Sequence, residues 1–281
     1  MSLVNAAYVS AVAISERRRG KLAASIYAGR PTSTMQRNLL ALRSSNWVAV
    51  FSGFFEPLLY LLSFGVGIGA IVGNVTDGLG NEVTYAAYIA PALLATSAMN
   101  GAVYDSTMNV FFKMHFAKLY NTMLSTSMGP LDVALGEIAW ALLRGLVYAI
   151  GFMIVVTSFG LVHSWWAIAA VAASVLIAFG FAAIGMGITS YLKSFQQMNR
   201  VQFFILPMFL FSGTFTPLSV YPEWAQAIIQ CFPLWHAVEL IRGLMLGNLQ
   251  LGLLWHVLYF AAMVVGGLIF TTRRLTALFM R

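Results

Sequence analysis

The sequence predicts an all-α polytopic membrane protein, a single bundle of six transmembrane helices. An interfacial helix precedes the first span, and a pair of short, proline-broken outer helices precedes the last. Three observations predict this. Of 281 residues, 60% are hydrophobic and only 9% are charged, against about 25% charged in a soluble domain, so lipid must solvate most of the surface. Six apolar runs approach the roughly 20 residues that cross a bilayer. The basic residues fall in alternate connecting segments, as the positive-inside rule requires.

The chain opens with a basic segment, residues 1–34, carrying Arg17, Arg18, Arg19, Lys21 and Arg30. Residues 3–14 are mildly apolar, but the basic cluster follows them and no small-residue cleavage site is evident, so a cleaved signal peptide is not expected. The membrane domain is placed at 35–281. Its first element, Met35–Trp47, sets Leu39, Leu40 and Leu42 on one side and Arg37, Asn38 and Arg43 around the other. That pattern suits a helix lying in the inner interface, with Trp47 at headgroup depth.

The six spans are placed at Trp47–Ala70, Tyr85–Phe112, Val133–Phe159, Trp165–Tyr191, Val201–Phe215 and Leu249–Thr271. With the N-terminus inside, the cytoplasmic segments 1–46, 113–132, 192–200 and 272–281 hold every Lys and Arg except Arg144 and Arg242. Both termini are therefore expected in the cytoplasm. The net charge of +7 reads as contact with anionic lipid rather than nucleic acid, because it is confined to these flanks. Glu56-Pro57 predicts a kink in the first span.

Between the fifth and sixth spans, residues 216–248 are broken by Pro217, Pro222 and Pro233. Proline removes a backbone donor and keeps its predecessor out of the helix. Two short helices, Glu223–Cys231 and Leu234–Leu246, are expected to dip into the outer leaflet and end at Gly247–Asn248.

Few residues suggest chemistry. The run Phe64–Gly73 (FGVGIGAIVG) lacks the Gly-Lys-Ser/Thr of a nucleotide loop and suits close helix packing instead. No Walker A motif occurs anywhere, so if ATP drives this protein, another chain binds it. His115, His163, His236 and His256 are scattered without metal-ligand spacing. Cys231, the single cysteine, excludes an intrachain disulfide and reads as a packing residue. No metal, catalytic residue or bound cofactor is expected.

Charges within the spans are the stronger clue, since each costs on the order of 3 kcal/mol at mid-bilayer unless paired or hydrated. They are Glu56, Asp105, Glu137 and Arg144. Buried ion pairs between the first three spans are preferred to a proton or substrate path, because the charges lie towards helix ends. The segment 113–132 (KMHFAKLYNTMLSTSMGPLD) carries Lys113, Phe116, Lys118, Leu119 and Met123 at helical spacing. It serves equally as an interfacial anchor or as a docking helix for a cytoplasmic partner.

Trp47–Gly69 (WVAVFSGFFEPLLYLLSFGVGIG), residues 118–145 and residues 209–247 (FLFSGTFTPLSVYPEWAQAIIQCFPLWHAVELIRGLMLG) together resemble the ABC-2 type transporter permeases. The resemblance is to their nodulation-protein J branch, with its lipo-oligosaccharide and drug exporters. It covers nearly everything after residue 35, in order. It implies a type V exporter-like fold in the bacterial inner membrane, pairing as a homodimer or with a paralogous permease. It also implies two separate ATPase subunits that hold the ATP and magnesium. The helix in 113–132 would then contact the ATPase, and the helices marked by Pro217, Pro222, Pro233, Glu239 and Arg242 would cap the outer end of the route. An amphipathic substrate is implied, moving past aromatics such as Phe51, Phe54, Phe55, Phe203, Phe204 and Phe211. Lipid or helix packing would also account for most of these. The rival class is an ion-coupled secondary transporter, which would need internal repeats that the sequence does not display.

Overall fold

The computed structural model describes residues 31–43, 55–76, 80–125 and 128–279. The chain is built almost entirely from helices. α1 (Pro31–Arg43) precedes α2 (Phe55–Val72), and a two-stranded hairpin, β1 (Asn74–Thr76) and β2 (Glu82–Thr84), leads into α3 (Tyr85–Phe116). After α4 (Leu119–Leu124) come α5 (Pro130–Ser158), α6 (Ala167–Thr189) and α7 (Met198–Phe211). The short α8 (Glu223–Gln230) and α9 (Pro233–Leu246) precede α10 (Gly252–Phe279).

Among the described residues, five helices are long and apolar enough to cross a membrane: α2, α3, α5, α6 and α10. The fifth predicted span is shorter than its apolar run. α7 has 14 residues, about 21 Å at 1.5 Å per residue, against a hydrocarbon core of about 30 Å. The chain leaves the helix at Ser212 and passes Gly213 at φ 73°. That left-handed geometry favours glycine and ends the helix inside the apolar run.

α6 is the hub. It packs against α3, α5, α9 and α10, and α3 in turn packs against α2, α5 and α9. α3 and α6 are mostly buried, whereas α2 and α10 show most of their surface outward. Small residues make this close packing possible. A Cβ on Gly267 of α10 would sit 2.8 Å from the Ala183 Cβ of α6, so only glycine fits there. Hydroxyls support the same contacts: Thr271 donates to the Ala183 carbonyl at 2.7 Å, and Thr189 to the Ser106 carbonyl at 2.9 Å.

Several elements depart from the expected pattern. The loop after α2 forms a hairpin with Asn74 opposite Thr84 and Thr76 opposite Glu82, a small exception to an all-α fold. α3 continues past the predicted Phe112 to Phe116, through π-helical turns at Asp105–Asn109 and Phe112–Phe116. The helix expected within 113–132 is divided by Lys118, whose φ of 47° is unusual for a residue with a side chain. A Cβ on Gly65 would sit 3.2 Å from the Ala86 Cβ, while Gly67 and Gly73 face open space. Only part of the glycine run therefore serves packing. Trp47, Phe51, Phe54 and the region of the predicted kink before Glu56 lie outside the described residues.

α1 turns its polar side inward. Thr34 and Asn38 are buried, while Leu39 and Leu40 are exposed, the orientation that a helix at a lipid boundary needs.

Candidate functional site

A cavity of about 650 Å³ opens between α2, α3, α5 and α7. Polar side chains line much of it: Glu56, Asn100, Asn109, Arg144, Asn199 and Gln202. Asp105 and Arg144 form a buried ion pair there between α3 and α5, and Asn109 donates to the same Asp105 oxygen. The two charges neutralise each other and hold two spans together, the arrangement that buried ions require.

Glu56 does not join the expected network. It is exposed and has no ion pair among the described residues, although it lines the same cavity as Arg144. A carboxyl group lining one cavity with Asn and Gln amides makes a polar wall, able to accept hydrogen bonds from hydroxyls or to face a cation.

Glu137 pairs elsewhere. Its side chain, only 4% exposed, accepts from Arg37 at 3.2 Å and from Asn38 at 3.2 Å, and also pairs with Lys113. Lys113 reaches the Asn38 amide oxygen at 3.3 Å as well. One carboxylate thus ties α1, α3 and α5 together. Glu137 and Arg144 share a helix face but serve separate clusters. The fully buried Tyr120 of α4 is close enough to feel Glu137 and Arg37, and burial pushes its hydroxyl well above the usual tyrosine range.

The residues singled out around 113–123 divide by direction. Phe116, at 65% exposure, and Lys118 point outward, joined by Phe112, whose ring stacks on Phe116 at 4.9 Å. Lys113 is held by Glu137, Met123 is buried and Leu119 is half-buried. A partner would therefore meet Phe112, Phe116 and Lys118 rather than all five residues. Phe55, Phe204 and Phe211 are exposed, and Phe204 lies in T-shaped contact with Phe203. Phe51 lies outside the described residues.

At the opposite end, Pro222 precedes α8 and Pro233 opens α9, with Pro217 introducing a single 3₁₀ turn. Arg242 of α9 is buried. It pairs with Glu239 at 2.7 Å, donates to the Gly213 carbonyl at 2.7 Å and lies 4.0 Å over the Tyr88 ring. The end of α7 is thereby fastened to α3 and α9. His236 and His256, distant in sequence, meet with their Nδ1 atoms 2.7 Å apart, beside the rings of Trp235 and Tyr259. Among the described residues no third metal-ligating side chain joins them.

Sequence reasoning missed the histidine pair, the partners of Glu137 and the amide lining of the cavity. Asn100, Asn109, Asn199 and Gln202 were visible as amides within or beside apolar runs. The histidine pair had no local signal, because it depends on how α9 docks against α10.

A sequence profile described as ABC-2 type transporter matches residues 32–246. The chain is 31% identical to nodulation protein J of Rhizobium leguminosarum bv. viciae, over 76% of this chain and 81% of that protein. It is 31% identical to nodulation protein J of Sinorhizobium fredii, over 79% and 83% of the two chains. For nodulation protein J of Rhizobium meliloti the identity is 28%, over 76% and 80%.

Proposed function

Because the chain belongs to the ABC-2 type transporter family, we propose that it is the permease subunit of an exporter driven by separate ATPase chains that bind ATP and magnesium. The observation that carries the reading further is Glu56, an exposed carboxylate on an apolar helix long enough to span, facing the polar cavity. An ion facing hydrocarbon is too costly to leave there. Such a helix face belongs against protein or an aqueous route.

The substrate in this reading is amphipathic: a lipo-oligosaccharide, a glycolipid or a drug. Its polar part would contact Glu56, Asn100, Asn199 and Gln202, and its apolar part the outward rings of Phe55, Phe204 and Phe211. A lipo-oligosaccharide is what the resemblance to the nodulation-protein J branch implies. α7 and the chain leading to Phe215 would complete a sixth crossing, with α8 and α9 as a re-entrant pair over the outer end. Both termini would lie in the cytoplasm, with residues 1–34 a basic segment at the inner membrane surface. The exposed faces of α2 and α7 would pair with a second permease, identical or paralogous. Phe112, Phe116 and Lys118 would dock on the ATPase.

The test is reconstitution of the permease with its copurifying ATPase. Phe116→Ala with Lys118→Glu should abolish stimulation of ATP hydrolysis by the permease while leaving its folding intact. Glu56→Gln should lower transport and leave ATPase assembly unchanged. Transport that persists without any ATPase would overturn the proposal in favour of ion coupling.

A further inference from the structure

A second cavity, of about 430 Å³, lies along the C-terminal part of α10 where it meets the end of α6, lined by Tyr191, Gly266, Ile269, Phe270, Arg273 and Arg274. α10 has 28 residues, about 42 Å of helix, so it outruns a hydrocarbon core of about 30 Å. Twenty residues from Gly252 bring the chain to headgroup depth at Arg273 and Arg274.

The two arginines differ from ordinary flanking charges. Neither has a carboxylate partner among the described residues. Arg274 is held with its guanidinium 3.9 Å over the Tyr191 ring, and that ring stacks on Phe270 at 5.9 Å and 11°. Its Nε is buried and takes no hydrogen-bond partner among the described residues. Arg273 is exposed beside it. Below them the surface is apolar and notched: Ile269 is exposed, and a Cβ on Gly266 would meet nothing within 4 Å. Gly266 lies seven residues before Arg273, about 10 Å deeper along the helix.

We propose that this groove is a binding site for an anionic phospholipid, its phosphate on Arg273 and Arg274 and one acyl chain in the notch at Gly266. A guanidinium pair supplies forked donors that match phosphate oxygens. The apolar floor running inward from them selects an acyl chain, so a lipid headgroup fits better than free phosphate. The leaflet is the cytoplasmic one under the orientation proposed above. The binding itself needs no ATPase or substrate, so its failure and the failure of the export reading are separable.

The test is native mass spectrometry of the full chain in mild detergent with equal dioleoylphosphatidylglycerol and dioleoylphosphatidylcholine. Phosphatidylglycerol should be retained in excess, and Arg273→Gln and Arg274→Gln should each weaken it about fivefold. Gly266→Leu, whose Cβ would meet nothing within 4 Å and whose side chain would fill the notch, should weaken it similarly. Arg273→Gln alters only an exposed side chain, so it remains informative if Arg274→Gln fails to fold. Equal retention of the two lipids, or unchanged retention in Arg273→Gln, overturns the site. So does inorganic phosphate that competes equally in wild type and Gly266→Leu, which would mark a free-anion site. Loss of a copurifying ATPase in Arg273→Gln, with lipid retention unchanged, would assign the arginines to that partner instead.

Discussion

Glu137→Gln removes the charge that Arg37 and Lys113 share. Both cations are partly exposed, so solvent softens the loss, and about 2 kcal/mol of destabilisation is expected. It should read as a fall of several degrees in the detergent melting temperature. Lys113→Gln should cost less, because Arg37 and Asn38 remain on the carboxylate. Reversing the charge at Lys113 would set two carboxylates together, and so would report on folding rather than on coupling to an ATPase. His236 offers a pH test. Burial and the facing His256 push it down from 6.5 to about 4, so the folded protein holds it neutral. Its contribution is present above pH 6.5 and is lost as pH falls towards 4, because the unfolded chain takes up the proton first. Thermal melts should show stability falling over that window, with a shallower fall in His236→Gln. Glu239 also faces His256, so the variant is best read against Glu239→Gln.

Helix by helix, the sequence was informative where hydropathy and breakers act locally. Pro222, Pro233 and Gly247 bound α8 and α9 within a residue or two of the expected limits. The apolar runs located α3, α5, α6 and α10, because burial of each is decided along its own length. Hydropathy could not place the end of α3, since Lys113 stays helical by reaching Glu137 on α5. Nor could it show that α7 stops at Phe211, which follows from contacts of Gly213 with Tyr88 and Arg242. The charged residues of the spans were legible as a list, but their pairing was not. Which carboxylate meets which cation depends on helix rotation. The contact of α6 with α10 gives a paired prediction. Gly267→Val should destabilise by about 1–3 kcal/mol through overpacking, whereas Gly266→Ala, one residue away and facing open space, should not lower the melting temperature.

At the scale of the whole molecule, two outward faces are chemically unlike. α10 presents Leu254, Leu258, Val265 and Ile269, an apolar surface that lipid can cover without cost. α2 and α7 present Glu56 and Gln202 among aromatics, a surface better covered by protein. Cysteine cross-linking separates them. In a Cys231→Ser background, which removes the single exposed thiol, Gln202→Cys should form a disulfide-linked dimer in membranes and Leu258→Cys should not. Equal cross-linking at both positions would argue for random collision rather than a specific pair.

The π-helical turns of α3 carry a consequence for how its two halves are phased. A π turn closes its hydrogen bond over one more residue than an α turn, so each behaves as a single-residue insertion accommodated without breaking the helix. Deleting one residue between Asp105 and Asn109 should let that stretch relax to α-geometry with the rest of the helix still in phase, whereas returning it to α hydrogen bonding with every residue kept would turn everything beyond it by about 100°. In that second case Lys113 would leave Glu137 while the N-terminal half of α3 kept its place. The C-terminal end of α3 is clocked against its N-terminal end by those extra residues, so a change of hydrogen-bonding register could turn one end without moving the other.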